Sequence, residues 1–108
     1  MYIYGCSKVW YDSDHSAIEI KKHIQYWADK FFSDEPCTVD VTPWCKTNDG
    51  IQMYYVRVEL ERYRSGWTDA LKCMIGGAAD EWGETANHLY HLNYSSGFSY
   101  YEGEAEEL

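Results

Sequence analysis

The stretch TVDVTPWCKTNDGIQMYYVRVELE, residues 38–61, decides the fold. Asn48-Asp49-Gly50 is a strong turn signal, because Asp-Gly supplies the positive φ that a tight hairpin needs, and β-rich runs flank it on both sides. With Asp49-Gly50 as a two-residue turn, Asn48 faces Ile51. Counting outward pairs Cys45 with Tyr54, Val41 with Val58 and Val39 with Leu60, so both strands offer the same apolar face to a core. The other face carries Thr38 opposite Glu61, Asp40 opposite Glu59, Thr42 opposite Arg57 and Trp44 opposite Tyr55. Pro43 cannot donate to a ladder, which argues for an edge strand or a bulge there.

Working outward from the hairpin, Tyr2 to Tyr11 mixes aromatic, apolar and small residues as a first strand does, and Asp12-Ser13-Asp14 breaks it. Ser16 and Glu19 form a capping box that starts a helix. Ala17, Ile20, Ile24, Trp27, Ala28 and Phe31 recur at helical spacing as its buried stripe, with Lys21, Lys22, Gln25 and Asp29 facing water. Pro36 limits that helix to the region before it. After the hairpin, Trp67-Thr68-Asp69 opens a second helix with Leu71, Met74, Ile75, Ala78 and Trp82 as its stripe. Gly76-Gly77 interrupts that pattern, by a kink or by the close approach of a neighbouring backbone. A strand over His88 to Tyr94, a turn at Ser95-Ser96-Gly97 and a short extra strand over Phe98 to Tyr101 follow.

The resulting order, βαββαβ, predicts an α+β ferredoxin-like sandwich: an antiparallel sheet with both helices on one face and the opposite face uncovered. At 108 residues the chain accommodates one core. A single domain over residues 1–101 and an acidic tail over residues 102–108 are expected.

Eighteen acidic against nine basic residues give a net charge of −9, which disfavours direct contact with nucleic-acid phosphates or anionic membranes. The first residues form neither a signal peptide nor a membrane span, so a cytoplasmic location is expected, with reduced thiols. Cys6, Cys37, Cys45 and Cys73 make no CxxC pair, and His88 and His91 would point to opposite faces of a strand. Zinc is therefore expected only as a site assembled across the fold, and otherwise no cofactor. No nucleophile–base–orienter pattern or phosphate loop occurs, which points away from an enzyme.

Eleven Tyr and five Trp exceed what one small core needs, so some must lie outside. The predicted contact surface comprises Asp40, Glu59 and Glu61 with the outward pair Trp44 and Tyr55, joined by Tyr100 and Tyr101 beside the tail. Aromatic anchors flanked by carboxylates select basic protein partners. Facing carboxylates at Asp40 and Glu59 repel across the strands and suit a cation or a basic side chain.

A short, strongly acidic, aromatic-rich chain without a catalytic motif resembles the inhibitors that phages and mobile elements direct against bacterial defence, the anti-CRISPR proteins in particular. The resemblance lies in size, charge and inferred fold. It implies a non-enzymatic, protein-binding inhibitor in the host cell that occupies the basic nucleic-acid channel of a Cas nuclease or effector complex. The alternative reading is a small zinc- or ligand-binding ferredoxin-like module.

Overall fold

The computed structural model describes residues 4–12, 14–60, 67–88, 90–93 and 99–102, with side chains within 8–12, 14–60 and 69–86. The elements run β1 (Tyr4–Tyr11), α1 (Ala17–Phe31), β2 (Cys37–Lys46), β3 (Gln52–Leu60), α2 (Trp67–Glu81), β4 (Thr85–His88), β5 (Tyr90–Asn93) and β6 (Ser99–Glu102). The first six form the expected ferredoxin-like arrangement. Their sheet has the order β2-β3-β1-β4, with every neighbouring pair antiparallel. β5 and β6 pair with each other as the extra hairpin, Tyr90 opposite Glu102, so β6 reaches one residue into the expected tail. The strand expected from His88 instead begins at Thr85.

Both helices lie on one face of the sheet. Val39, Val56, Val58 and Leu60 meet Ile20, Ile24 and Ala28 of α1 and Leu71, Met74, Ile75 and Ala78 of α2 in one buried cluster. Each fully buried Ile or Leu contributes roughly 1.5–3 kcal/mol relative to exposure, so this layer holds the fold. The capping box is complete: Ser16 Oγ accepts from the Glu19 amide, and the Glu19 carboxylate accepts from the Ser16 amide. At the other end of α1 the stripe shifts. The helix stops at Phe31, and the capping residue Phe32 leaves helical geometry (φ −120°, ψ 49°). Phe32 therefore enters the core and Phe31 stays 45% exposed, correcting the expected stripe.

The double glycine does not interrupt α2, which runs unbroken through it. Close approach explains Gly77, but the neighbour is a side chain: a Cβ there would lie 2.7 Å from the Trp27 ring, whereas one at Gly76 would meet nothing.

The hairpin register differs from the expectation by two residues. Thr47 and Ile51 close a three-residue loop, with Gly50 at φ +83°. This is the bulged-turn alternative to a two-residue turn. A second irregularity falls between Pro43 and Lys46, and from there Val41 faces Val56, Val39 faces Val58 and Cys37 faces Leu60. Two slips of one residue restore the parity of the strand, so the apolar side remains inward while every cross-strand partner changes.

The outer face is not wholly open either. Val9 and Met53 alternate with inward residues and so point outward, yet both are 1% exposed. They lie toward β1, which β5 contacts.

Candidate functional site

Two regions carry chemistry. The first is the outer face of the hairpin, where the revised register separates the carboxylates. Asp40 faces Arg57, not Glu59, and Glu59 faces Thr38. Arg57 forms an ion pair with Glu59, and Lys21 of α1 approaches Asp40 at 3.7 Å. The expected repulsion between Asp40 and Glu59 is replaced by an alternating arrangement of opposite charges, with Lys21, Asp40 and Arg57 about half-exposed and Glu59 less so. Trp44 and Tyr55 do meet, with ring centroids 4.6 Å apart and planes inclined by 31°. They are diagonal neighbours beside the bulge, since Thr42 occupies the position opposite Tyr55. Trp44 is 42% exposed. Glu61 lies outside the described residues. Tyr100 and Tyr101 fall on β6, opposite Leu92 and His91, and their side chains lie outside the described ones.

The thiols also separate. Cys45 and Cys73 are exposed, Cys45 against its expected place on the apolar face, while Cys37 is half-buried. Burial, and then the charge of Asp29, push the Cys37 thiol up to about 12. It is protonated at neutral pH and a poor nucleophile or metal ligand. No site of clustered thiols arises among the described residues.

The second region is the corner where β1 turns into α1 and the end of α2 turns into β4. Asp12, read from the sequence as a strand breaker, has a fully buried side chain. Its Oδ1 accepts from the amides of Asp14 (2.7 Å) and His15 (2.9 Å). Its Oδ2 accepts from His15 Nδ1 at 2.9 Å. Satisfying a buried carboxylate with several donors is what makes its burial tolerable. Gly83 at φ +70° closes the turn after α2 and presents Glu84 to the same place. A carboxylate oxygen of Asp12, a ring nitrogen of His15 and a carboxylate oxygen of Glu84 lie within 4.8 Å of one another. Burial, then the negative charges of Asp12 and Asp14, raise the Glu84 carboxyl, and His15 partly offsets them.

An aromatic stack supports the corner. Trp82 lies between His15 and His23, each ring 3.9 Å from the indole and nearly parallel to it. His23 donates from Nε2 to the Ala78 carbonyl at 2.8 Å. Trp10 meets both His23 and Trp82 edge-on. The Tyr54 hydroxyl donates to the His15 carbonyl at 3.0 Å. Burial, and then Asp12 and Glu19, raise that phenol above its ordinary range. Trp27 donates from Nε1 to Glu81 at 2.6 Å, fixing the far side of the same helix pair.

Of the three clustered donors, only Asp12 and His15 are close in sequence. Their three-residue spacing across the helix cap was the one local signal available. No protein-family model matches the chain, and neither a curated protein nor a solved structure matches it significantly.

Proposed function

We propose that the chain is a non-enzymatic protein-binding module that engages a basic partner through the outer face of the β2–β3 hairpin. The observation that carries this reading is the Trp44–Tyr55 pair. Two aromatic rings meet at a tilt beside a bulge, Trp44 on the edge strand β2 and Tyr55 on its neighbour β3, with Trp44 exposed to solvent. Such rings bury large area at low entropic cost and dominate interface energetics. Asp40 and Glu59 flank them but are partly neutralised by Lys21 and Arg57. Preference for a basic partner therefore comes chiefly from the net charge of −9, which accelerates encounter, with the aromatic pair supplying the anchor. None of the helices among the described residues is long and apolar enough to cross a membrane.

An inhibitor of the anti-CRISPR kind, acting in the cytoplasm on the basic channel of a Cas nuclease, is the specific form of this reading. Immobilised wild-type protein and the double variant Trp44→Ala/Tyr55→Ala are to be compared for capture from bacterial lysate, and the captured protein for direct binding. A basic, nucleic-acid-binding protein that is retained by the wild type, released by salt and bound at least about tenfold more weakly by the variant supports the reading. Equal affinity of the two proteins for that partner sinks it.

A further inference from the structure

We propose that Asp12, His15 and Glu84 form a binding site for one first-row divalent metal ion, of the zinc, cobalt or manganese class, which ties the β1–α1 corner to the α2–β4 turn. Protein recognition by the hairpin face does not enter this proposal.

The donor set is carboxylate, imidazole and carboxylate, within 4.8 Å of one another. Imidazole disfavours calcium and magnesium, which prefer all-oxygen shells, whereas mixed nitrogen and oxygen donors suit zinc, cobalt and manganese. Asp12 and His15 are in place before any ion arrives, with Oδ2 and Nδ1 2.9 Å apart and joined by a proton that the ion would replace and release to solvent. Asp12 is fully buried and held by two amides. The His15 ring is fixed in its plane by Trp82 on one face. Glu84 is brought in by the Gly83 turn, and its amide donates to the Ala79 carbonyl at 2.8 Å. Held donors are what distinguishes a metal site from carboxylates that merely share a surface.

The charge balance points the same way. Two carboxylates meet one imidazole at this corner. A divalent cation balances the two carboxylates and leaves the imidazole neutral, the form in which it ligates. Three protein donors leave room for water to complete a four-coordinate shell.

The thiols set the control, because zinc and cobalt also bind cysteine. The experiment uses the full chain, stripped with chelator and kept reduced, titrated with zinc by calorimetry and with cobalt by absorption. One equivalent should bind at micromolar concentration, raise the melting temperature, and change Trp82-dependent fluorescence through the His15 stack. Cobalt should show weak visible bands without the near-ultraviolet thiolate band. Replacing Cys6, Cys37, Cys45 and Cys73 by serine together should leave affinity unchanged within about twofold, while Glu84→Gln and His15→Ala should each weaken it at least about tenfold. Circular dichroism in chelator verifies that these variants are folded, and Glu84→Gln, which preserves side-chain shape, carries the test if His15→Ala is not. Absence of saturable binding, binding unaffected by Glu84→Gln, or binding lost with the four-serine variant overturns the site.

Discussion

Asp12 and Asp40 are the same residue type placed in opposite circumstances. Asp12 has no solvent exposure and its carboxylate receives three donors, two of them backbone amides. The Asp40 side chain is 56% exposed and pairs with Lys21 3.7 Å away. In the corner, the buried charge of Asp12 is tied to several fixed groups. On the hairpin face, charges are more numerous but exchange partners with water. The difference teaches that charge density along a sequence marks surfaces, whereas the charges that shape the structure are the sparse ones with nowhere to go. Removing charges from the two regions should therefore give effects of different size and kind.

The largest effect is expected at Asp12. In Asp12→Ala two amides and the His15 ring lose their acceptor in a buried corner, and the chain entering α1 loses its anchor. Destabilisation of about 3 kcal/mol is expected by denaturant unfolding in the presence of chelator. A loss below about 0.5 kcal/mol, the size of an ordinary surface change, would place Asp12 in the same class as Asp40.

Packing between the helices offers a test of intermediate size, using two adjacent glycines. Gly77→Ala forces a methyl against the Trp27 ring, whose indole is itself held by Glu81, and should cost about 1–3 kcal/mol. Gly76→Ala meets nothing and should stabilise the helix by up to about 1 kcal/mol. Melting temperatures of the two variants should therefore move in opposite directions. Movement in the same direction would mean that Trp27 can step aside, and that the corner side of the helix pair is less rigid than its contacts imply.

The sequence made the element order legible because each element carries its own local signature: the Ser16–Glu19 capping box, the four-residue spacing of Ile20, Ile24 and Ala28, the alternation of Val39, Val41, Val56, Val58 and Leu60. Register was legible only modulo two. Alternation reports which face a residue takes, but an Asp-Gly turn can close as two or three residues, and a bulge at Pro43 to Lys46 adds another slip. The inner face of Val39, Val41, Val58 and Leu60 therefore emerged correctly, while Cys45 beyond Pro43 and the partners of Asp40 and Glu59 did not. Arg57 was visible as an outward residue, yet its position between the two carboxylates depended on that missing count. The corner was less legible still. His23 and Trp82 lie on different helices, and nothing local announces that an indole will settle between two imidazoles. Asp12 read as punctuation because a polar residue at a strand end usually is; its neighbour Glu84 follows in the chain only after β3 and α2.

The smallest effect on stability, and the sharpest test of the hairpin face, is expected at Arg57. Its ion pair with Glu59 is solvent-exposed, so Arg57→Ala should change unfolding free energy by no more than about 1 kcal/mol. The electrostatic consequence is larger than the structural one. Without the guanidinium, Asp40 loses the cation opposite it and Glu59 loses its partner, so the face becomes more acidic, with Lys21 alone left beside Asp40. A basic partner docking on this face should then associate faster at low salt, and the gain should shrink as salt is added, because screening acts over roughly 10 Å at 0.1 M. Stopped-flow association of wild type and Arg57→Ala across a salt series measures this directly. An unchanged association rate at low salt would mean that the partner does not approach over Arg57. A slower rate would mean that Arg57 itself contacts the partner, and that the surface selects an acidic group at this position instead of a basic one.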